Sequence, residues 1–195
     1  MDAEEARAGI VVQPLEPGRL DEYLEFFDTR AFTDNPRWAG CYCYYPLHDP
    51  LQTEWQRRTG PENREAVRGC ILTGQSQGYL AYRDGEVVGW CNAGPRRLYP
   101  MLRDERRPVA DSTGVIFCFI VAPEHRRQGV ASALLVAACG GMRAQGLTLA
   151  QARPLQEASS VAPNERGPLP MYLKAGFVVV NEYRDGTVLV QKRLV

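Results

Sequence analysis

The stretch Val121-Ala122-Pro123-Glu124-His125-Arg126-Arg127-Gln128-Gly129-Val130-Ala131-Ser132-Ala133-Leu134-Leu135 decides how the rest of the chain is read. An apolar run at residues 115–121 ends just before Pro123, a turn rich in arginine follows, and Gly129 and Ala131 open an apolar helix. Strand, turn and helix in that order leave the first N–H groups of the helix unpaired at the positive end of its dipole. Such an end binds phosphate. Gly129 has no Cβ, and Ala131 and Ser132 are small, so a bulky anion can reach the main chain beside the charges of Arg126 and Arg127. The spacing Arg-x-x-Gly-x-Ala is neither the Gly-x-x-x-x-Gly-Lys-Ser/Thr of nucleotide hydrolases nor the Gly-x-Gly-x-x-Gly of dinucleotide folds. An ordinary strand-to-helix turn with a basic cap has the same pattern, so the rest of the chain must decide.

With 195 residues the chain suits one domain, residues 1–195, with a sizeable core. A hydrophobic content of 45% and a charged content of 24% are those of a soluble globular protein. A formal net charge of zero argues against a general nucleic-acid or membrane-surface binder. No apolar run is long enough to span a membrane, and the acidic N-terminus lacks a signal-peptide core, which together predict a cytoplasmic protein. Cys70, Cys91, Cys118 and Cys139 lie in apolar segments, where free cysteine is a small hydrophobe. Cys41 and Cys43, followed by His48 and Asp49, admit a metal site or buried and pocket-lining thiols. The second half of a zinc motif is missing, so no metal is expected.

The predicted elements alternate in a set order. A strand at residues 9–15 precedes a helix whose face is Leu20, Tyr23, Leu24, Phe26 and Phe27, with Asp21, Glu22 and Glu25 opposite. An aromatic loop at 38–46 follows. A second helix starts at Pro61, with Ala66, Val67, Cys70, Ile71 and Leu72 as its apolar side. Runs at 79–83 and 86–91 form a hairpin across Asp84-Gly85, and a second hairpin crosses Asp185-Gly186. A helix at 129–145, a strand at 147–152 and a short helix at 171–175 complete the order β-α-α-β-β-β-α-β-α-β-β. This is an α/β (α+β) fold, a central mixed β-sheet flanked by helices.

Met171-Tyr172-Leu173-Lys174-Ala175-Gly176-Phe177 is the second informative segment: Gly176 supplies a left-handed turn after a short helix and Phe177 anchors the next strand. Together Arg126-x-x-Gly129-x-Ala131 and Tyr172-x-x-x-Gly176-Phe177 resemble the two signatures of the GNAT superfamily of acyl-CoA-dependent N-acetyltransferases, in the family's order. The element order resembles it too, over nearly the whole chain.

The resemblance implies transfer of an acetyl group from acetyl-CoA, as cosubstrate and without a metal, to a primary amine of a small molecule or peptide. It implies that Ile120, Val121 and Ala122 lie along the pantetheine arm, and that the pyrophosphate sits on the amides of Arg127, Gln128, Gly129, Val130, Ala131 and Ser132 beside Arg126. It places Tyr172 near the sulfur, where a phenol can protonate the departing thiolate. A main-chain N–H near Val121, on the splayed strand, is expected to polarise the thioester carbonyl. Three departures stand out. Asn164 is displaced by one position from the family's usual asparagine, Pro168 and Pro170 crowd the last helix, and the strand at 115–121 carries no carboxylate. Loop residues Glu157, His48 and Asp111 are the candidate bases, beside a water chain or a neutral amine.

Cys118 invites an acyl-cysteine route, but core packing and direct attack in a ternary complex are the expectation. The resemblance places the acceptor site at residues 38–49 and 90–92, with the excursion at 96–107 as a further candidate, and Trp38, Tyr42, Tyr44, Tyr45 and Trp90 form a cage or a self-buried loop. The arginines Arg96, Arg97, Arg103, Arg106 and Arg107 meet an acidic substrate or the CoA 3′-phosphate, or are simply solvated. A non-catalytic acyl-CoA-binding regulatory module is the alternative function, a longer acyl group a third, and oligomerisation stays open.

Overall fold

The structure, a computed structural model, describes residues 9–102, 111–156 and 165–194. Its elements are β1 (Val11–Pro14), α1 (Leu20–Thr29), α2 (Gly60–Leu72), β2 (Gly78–Arg83), β3 (Glu86–Pro95), β4 (Thr113–Val121), α3 (Val130–Ala144), β5 (Leu149–Ala152), α4 (Leu169–Lys174), β6 (Val178–Glu182) and β7 (Val188–Arg193). The predicted order holds. Seven strands form one sheet in the order β1-β2-β3-β4-β5-β7-β6, and β4 with β5 is its parallel pair.

Alternating side chains divide the core between the two faces of the sheet. Tyr79, Cys91 and Phe119 point to the α3 side, where Leu134, Leu135, Ala138 and Met142 are buried. Leu80, Trp90 and Ile120 point to the other side, against α1. The buried face of α1 is Leu20, Tyr23, Leu24, Phe26 and Phe27, as its periodicity predicts. On α2 the predicted face shifts. Asn63, Val67 and Ile71 are buried at a strict four-residue spacing, whereas Leu72, one position further round, is 47% exposed. Asn63 replaces an apolar contact with hydrogen bonds, donating to the Gly40 carbonyl at 2.8 Å and accepting from Arg58 Nε at 2.6 Å. The helix starts with a capping box in which Thr59 and Glu62 satisfy each other's backbone N–H groups.

The two hairpins use different turns. Asp84 and Gly85 both have positive φ, +52° and +82°, as a two-residue turn needs. At the second, only Gly186 is left-handed, and Gly186 N–H closes on the Tyr183 carbonyl at 3.1 Å. That hairpin is a three-residue loop, Arg184-Asp185-Gly186. The prolines near α4 are also accommodated: Pro168 is the N-cap and Pro170 lies in the first turn, where no intrahelical N–H is lost.

Two irregularities position the site. Between Asn92↔Cys118 and Ala93↔Ile116 the β3–β4 register slips, leaving Phe117 as a bulge. Ile116↔Ala152 is also the last pair between β4 and β5. From residue 117 onward the two parallel strands part, and one edge of β4 opens. At the far end of β4, Gly89 on β3 lets α3 close on the sheet, because a Cβ there would stand 2.7 Å from Val130 Cγ1. Gly89→Ala is therefore expected to destabilise the fold by about 1–3 kcal/mol through overpacking, seen as a lower urea midpoint at unchanged slope. An unchanged midpoint would show that the start of α3 yields freely.

Candidate active site

The turn between β4 and α3 has the expected form. Gly129 caps α3 at φ +83°, and the first intrahelical bond runs from Ala133 N–H to the Gly129 carbonyl at 2.9 Å. The N–H groups of Val130, Ala131 and Ser132 thus have no acceptor within the helix. Arg127 is also left-handed, at φ +60°. Arg126 is not a free cation. Its Nη1 and Nη2 bind both oxygens of Asp34 at 2.5 and 3.0 Å, and its Nε donates to the Val121 carbonyl at 3.1 Å. The guanidinium bond holds the Asp34 carboxyl below its ordinary pKa. A depressed carboxylate contributes stability above its unfolded pKa and loses it as pH falls through the folded value. With both side chains more than two-fifths exposed, that contribution is about 1 kcal/mol or less.

A cleft of about 850 Å³ opens in front of this turn. Ile120, Val121, Arg126, Arg127, Gly129, Val130, Ala131 and Ser132 line it, opposite Asp34, Asn35 and Trp38 from the loop after α1. Two expected residues lie off its wall. Ala122 is fully buried and donates its N–H to the Val88 carbonyl, and the Gln128 side chain turns away to Arg83 and to the Glu124 carbonyl. Because Ala122 bonds β3, the alternation of an antiparallel ladder turns the N–H groups of Phe119 and Val121 toward the open edge of β4. The Phe119 N–H is taken by the Glu165 carbonyl. The Val121 N–H faces the cleft.

Residues 165–168 cross the opening between β4 and β5 and reach Tyr172. The Tyr172 hydroxyl donates to the Arg166 carbonyl at 2.7 Å, and its ring meets Phe119 and Phe177 edge-on, at 6.3 and 5.3 Å. The side chain is 1% exposed and lies behind the cleft wall. Burial raises its pKa well above that of an ordinary phenol, which keeps the hydroxyl protonated. Glu165, which the sequence reading missed, faces the first cleft and a second one of about 500 Å³ beside it.

The second cleft is lined by Trp38, Tyr45, Trp55 and Phe117, with Arg37, Arg58 and Arg166 among its polar groups. The expected cage is only partly there. Trp90 is fully buried against Tyr23, Tyr42 stacks on Phe27, and the Arg58 guanidinium covers Tyr44 at 4.7 Å. Trp55 and Phe117 take their places, the second of them projected by the bulge. Cys41, Cys43 and Cys118 share this wall. Tyr42 and Cys43 both have φ of +46°, a region that costs non-glycine residues energy and is held here by the Tyr23 hydroxyl on the Tyr42 carbonyl at 2.7 Å.

The candidate bases separate. His48 is buried in its own loop, with Nε2 on Thr53 at 2.7 Å, and Asp111 is exposed in the turn before β4, at the opposite end of that strand. Glu157 and Asn164 fall outside the described residues, as do Arg103, Asp104, Glu105, Arg106 and Arg107. Arg96 donates to the Leu102 carbonyl at 3.1 Å. Among the described residues no cluster of three His, Cys, Asp or Glu side chains is arranged to hold a metal ion, and no helix is long and apolar enough to cross a membrane.

Comparison with known proteins agrees with this geometry. Residues 37–177 match the sequence model of the acetyltransferase (GNAT) family. No match is found among curated proteins. The fold is similar to that of the PaiA N-acetyltransferase of Thermoplasma acidophilum, solved in complex with coenzyme A (16% identity over 94% of this chain and 98% of that one, TM-score 0.56). It is also similar to YncA of Salmonella typhimurium, solved with acetyl-CoA (15%, 96% and 95%, TM-score 0.54). The GNAT domain of S. lividans PAT matches at 18% identity over 93% and 89% of the two chains, with a TM-score of 0.58. With its seven-stranded sheet opened beside a glycine-capped helix, and with most of its length matching the family's sequence model, this chain belongs to the acetyltransferase (GNAT) family and is an acetyl-CoA-dependent acyltransferase.

Proposed function

We propose that the protein, as a single cytoplasmic domain, moves an acetyl group from acetyl-CoA in the first cleft to a primary amine in the second, by direct attack in a ternary complex. The observation that carries this reading is the junction of the two clefts at Phe32, Trp38, Ile120 and Glu165. The pyrophosphate occupies the unpaired amides from Gly129 to Ser132, with Arg127 beside it. The pantetheine arm follows Ile120 and Val121, and the Val121 N–H polarises the thioester carbonyl.

Glu165 takes the proton of the acceptor ammonium. It is the carboxylate missing from β4, supplied instead by the loop that crosses the opening. Tyr172 acts first through that loop: its bond to the Arg166 carbonyl steadies the strip that carries Glu165. Donating to the CoA thiolate requires its hydroxyl to exchange that carbonyl for sulfur. The second cleft, with aromatic walls and three arginines against Glu165, favours an amine that has an apolar or aromatic body and an acidic group.

Four measurements test this reading. Glu165→Gln should lower kcat/KM for the amine about 10²–10⁴-fold at neutral pH, the range for a lost general base, with CoA affinity unchanged; full activity would remove Glu165 from the mechanism. Combining it with Tyr172→Phe in a double-mutant cycle separates the two roles of the tyrosine. Losses smaller than the sum support the brace, and additive losses in activation free energy support an independent proton donor. Asp34→Asn should tighten CoA about two- to fivefold at low ionic strength, because it frees Arg126 from an exposed pair; weaker binding would mean that Asp34 orients the arginine for its ligand. In a panel of amines, aromatic amino acids should be acetylated in preference to polyamines, and the reverse order would contradict the charge reading of the second cleft.

A further inference from the structure

Cys43 differs from the other buried cysteines. Cys91 and Cys139 sit among apolar side chains on the α3 face, where burial pushes both thiols up. Cys43 is surrounded by donors. Asn92 Nδ2 lies 3.5 Å from its sulfur, and the amide is held in that orientation by the Tyr99 hydroxyl, which donates to Asn92 Oδ1 at 2.9 Å. Cys118 packs beside it in the same core cluster and lines the same cleft, and the Trp90 indole N–H of that cluster is buried without a hydrogen-bond partner. A fixed donor on a sulfur favours its anion. The Cys118 thiol beside it lowers the Cys43 pKa, whereas Cys43 and burial raise that of Cys118. Cys41, two residues away, faces the backbone N–H groups of Tyr45, Cys43 and Tyr44, yet burial pushes it up to about 12. Both members of the pair line the second cleft. An amide held on the sulfur by a second side chain is more than packing one thiol needs.

We propose that Cys43 is a modification site for hydroperoxides, with Cys118 as its resolving thiol, and that the disulfide formed shuts the second cleft to turnover. The Cys43 thiolate attacks one peroxide oxygen and the O–O bond breaks. The released alkoxide or hydroxide takes a proton from solvent and leaves as alcohol or water, and Cys43 becomes a sulfenic acid. Cys118 sulfur then attacks Cys43 sulfur, the S–O bond breaks, and hydroxide leaves as water with the Cys118 proton. Two thiols are oxidised and one peroxide is reduced. The sulfur chemistry stands on the thiol pair alone, and its effect on turnover rests on the reading of this cleft as the acceptor site.

The test treats the whole folded protein with about one equivalent of hydrogen peroxide, the stoichiometry of one disulfide. Free thiols are then blocked with N-ethylmaleimide and the peptides mapped by mass spectrometry. The expected product is a Cys43–Cys118 linked peptide, with acetyl transfer reduced at least about tenfold by displacement of the wall that seats the amine. Dithiothreitol restores the activity, and CoA affinity does not change. In Cys118→Ser the reaction stops at a sulfenic acid on Cys43, captured by dimedone. Oxidation confined to other cysteines, or both thiols recovered as maleimide adducts, overturns the proposal. A linked peptide with full turnover overturns the gating, and places the error in the reading of the second cleft rather than in the chemistry of Cys43.

Discussion

Ile116 is the last residue of β4 with a partner on β5, and the parting of the strands beyond it shapes both clefts. A parallel pair satisfies main-chain groups along its whole length. Where the pair ends, the freed groups of β4 need new partners. Phe119 takes the Glu165 carbonyl, and the Val121 carbonyl takes Arg126. The Val121 N–H is left facing the cleft, as a donor held on a rigid strand should be if it is to meet a developing charge. The bulge at Phe117 accompanies this change and turns an aromatic ring into the second cleft. Pro154, two residues beyond the end of β5, has no N–H for the ladder, and its carbonyl serves Val188 on β7 instead.

Charge is arranged to be exchanged rather than accumulated. Arg126 is neutralised by Asp34, from the loop after α1, across the mouth of the first cleft. Under the proposed function, an arriving pyrophosphate would compete with that carboxylate and meet the amide groups of α3, which have no competing acceptor in the helix. The pair is exposed enough to contribute little to stability, so exchanging partners costs the fold little. In the second cleft, Arg58 is held by Asn63, the Glu62 carbonyl and the Tyr44 ring.

Much of the scaffold was legible in the sequence because it depends on local rules. The apolar face of α1 follows from a 3.6-residue period, the Asp84-Gly85 turn from positive φ, and the glycine cap of α3 from the freedom of a residue without Cβ. What depends on distant crossings was not legible. Glu165 follows the polar stretch 155–164 with no periodicity to mark it, and its place is set by two strands parting elsewhere in the chain. Trp90 reads as a cage residue in sequence, but strand alternation points it into the α1 core. The Tyr172 motif was readable, whereas the partner of its hydroxyl, the Arg166 carbonyl, depended on the path of a loop. Leu72 failed for a simpler reason: an apolar residue one step off a helical face is solvated.

The central claim is that CoA binds at the amide end of α3 and along the open edge of β4. A ¹H–¹⁵N NMR titration of the protein with CoA tests it most directly. The account predicts that the amide signals of Val121 and of Arg127 through Ser132 shift together and saturate with one affinity, while those of Cys43 and Trp55 move little. Saturating shifts at Cys43 and Trp55 with the amides of Gly129 to Ser132 unmoved would contradict it.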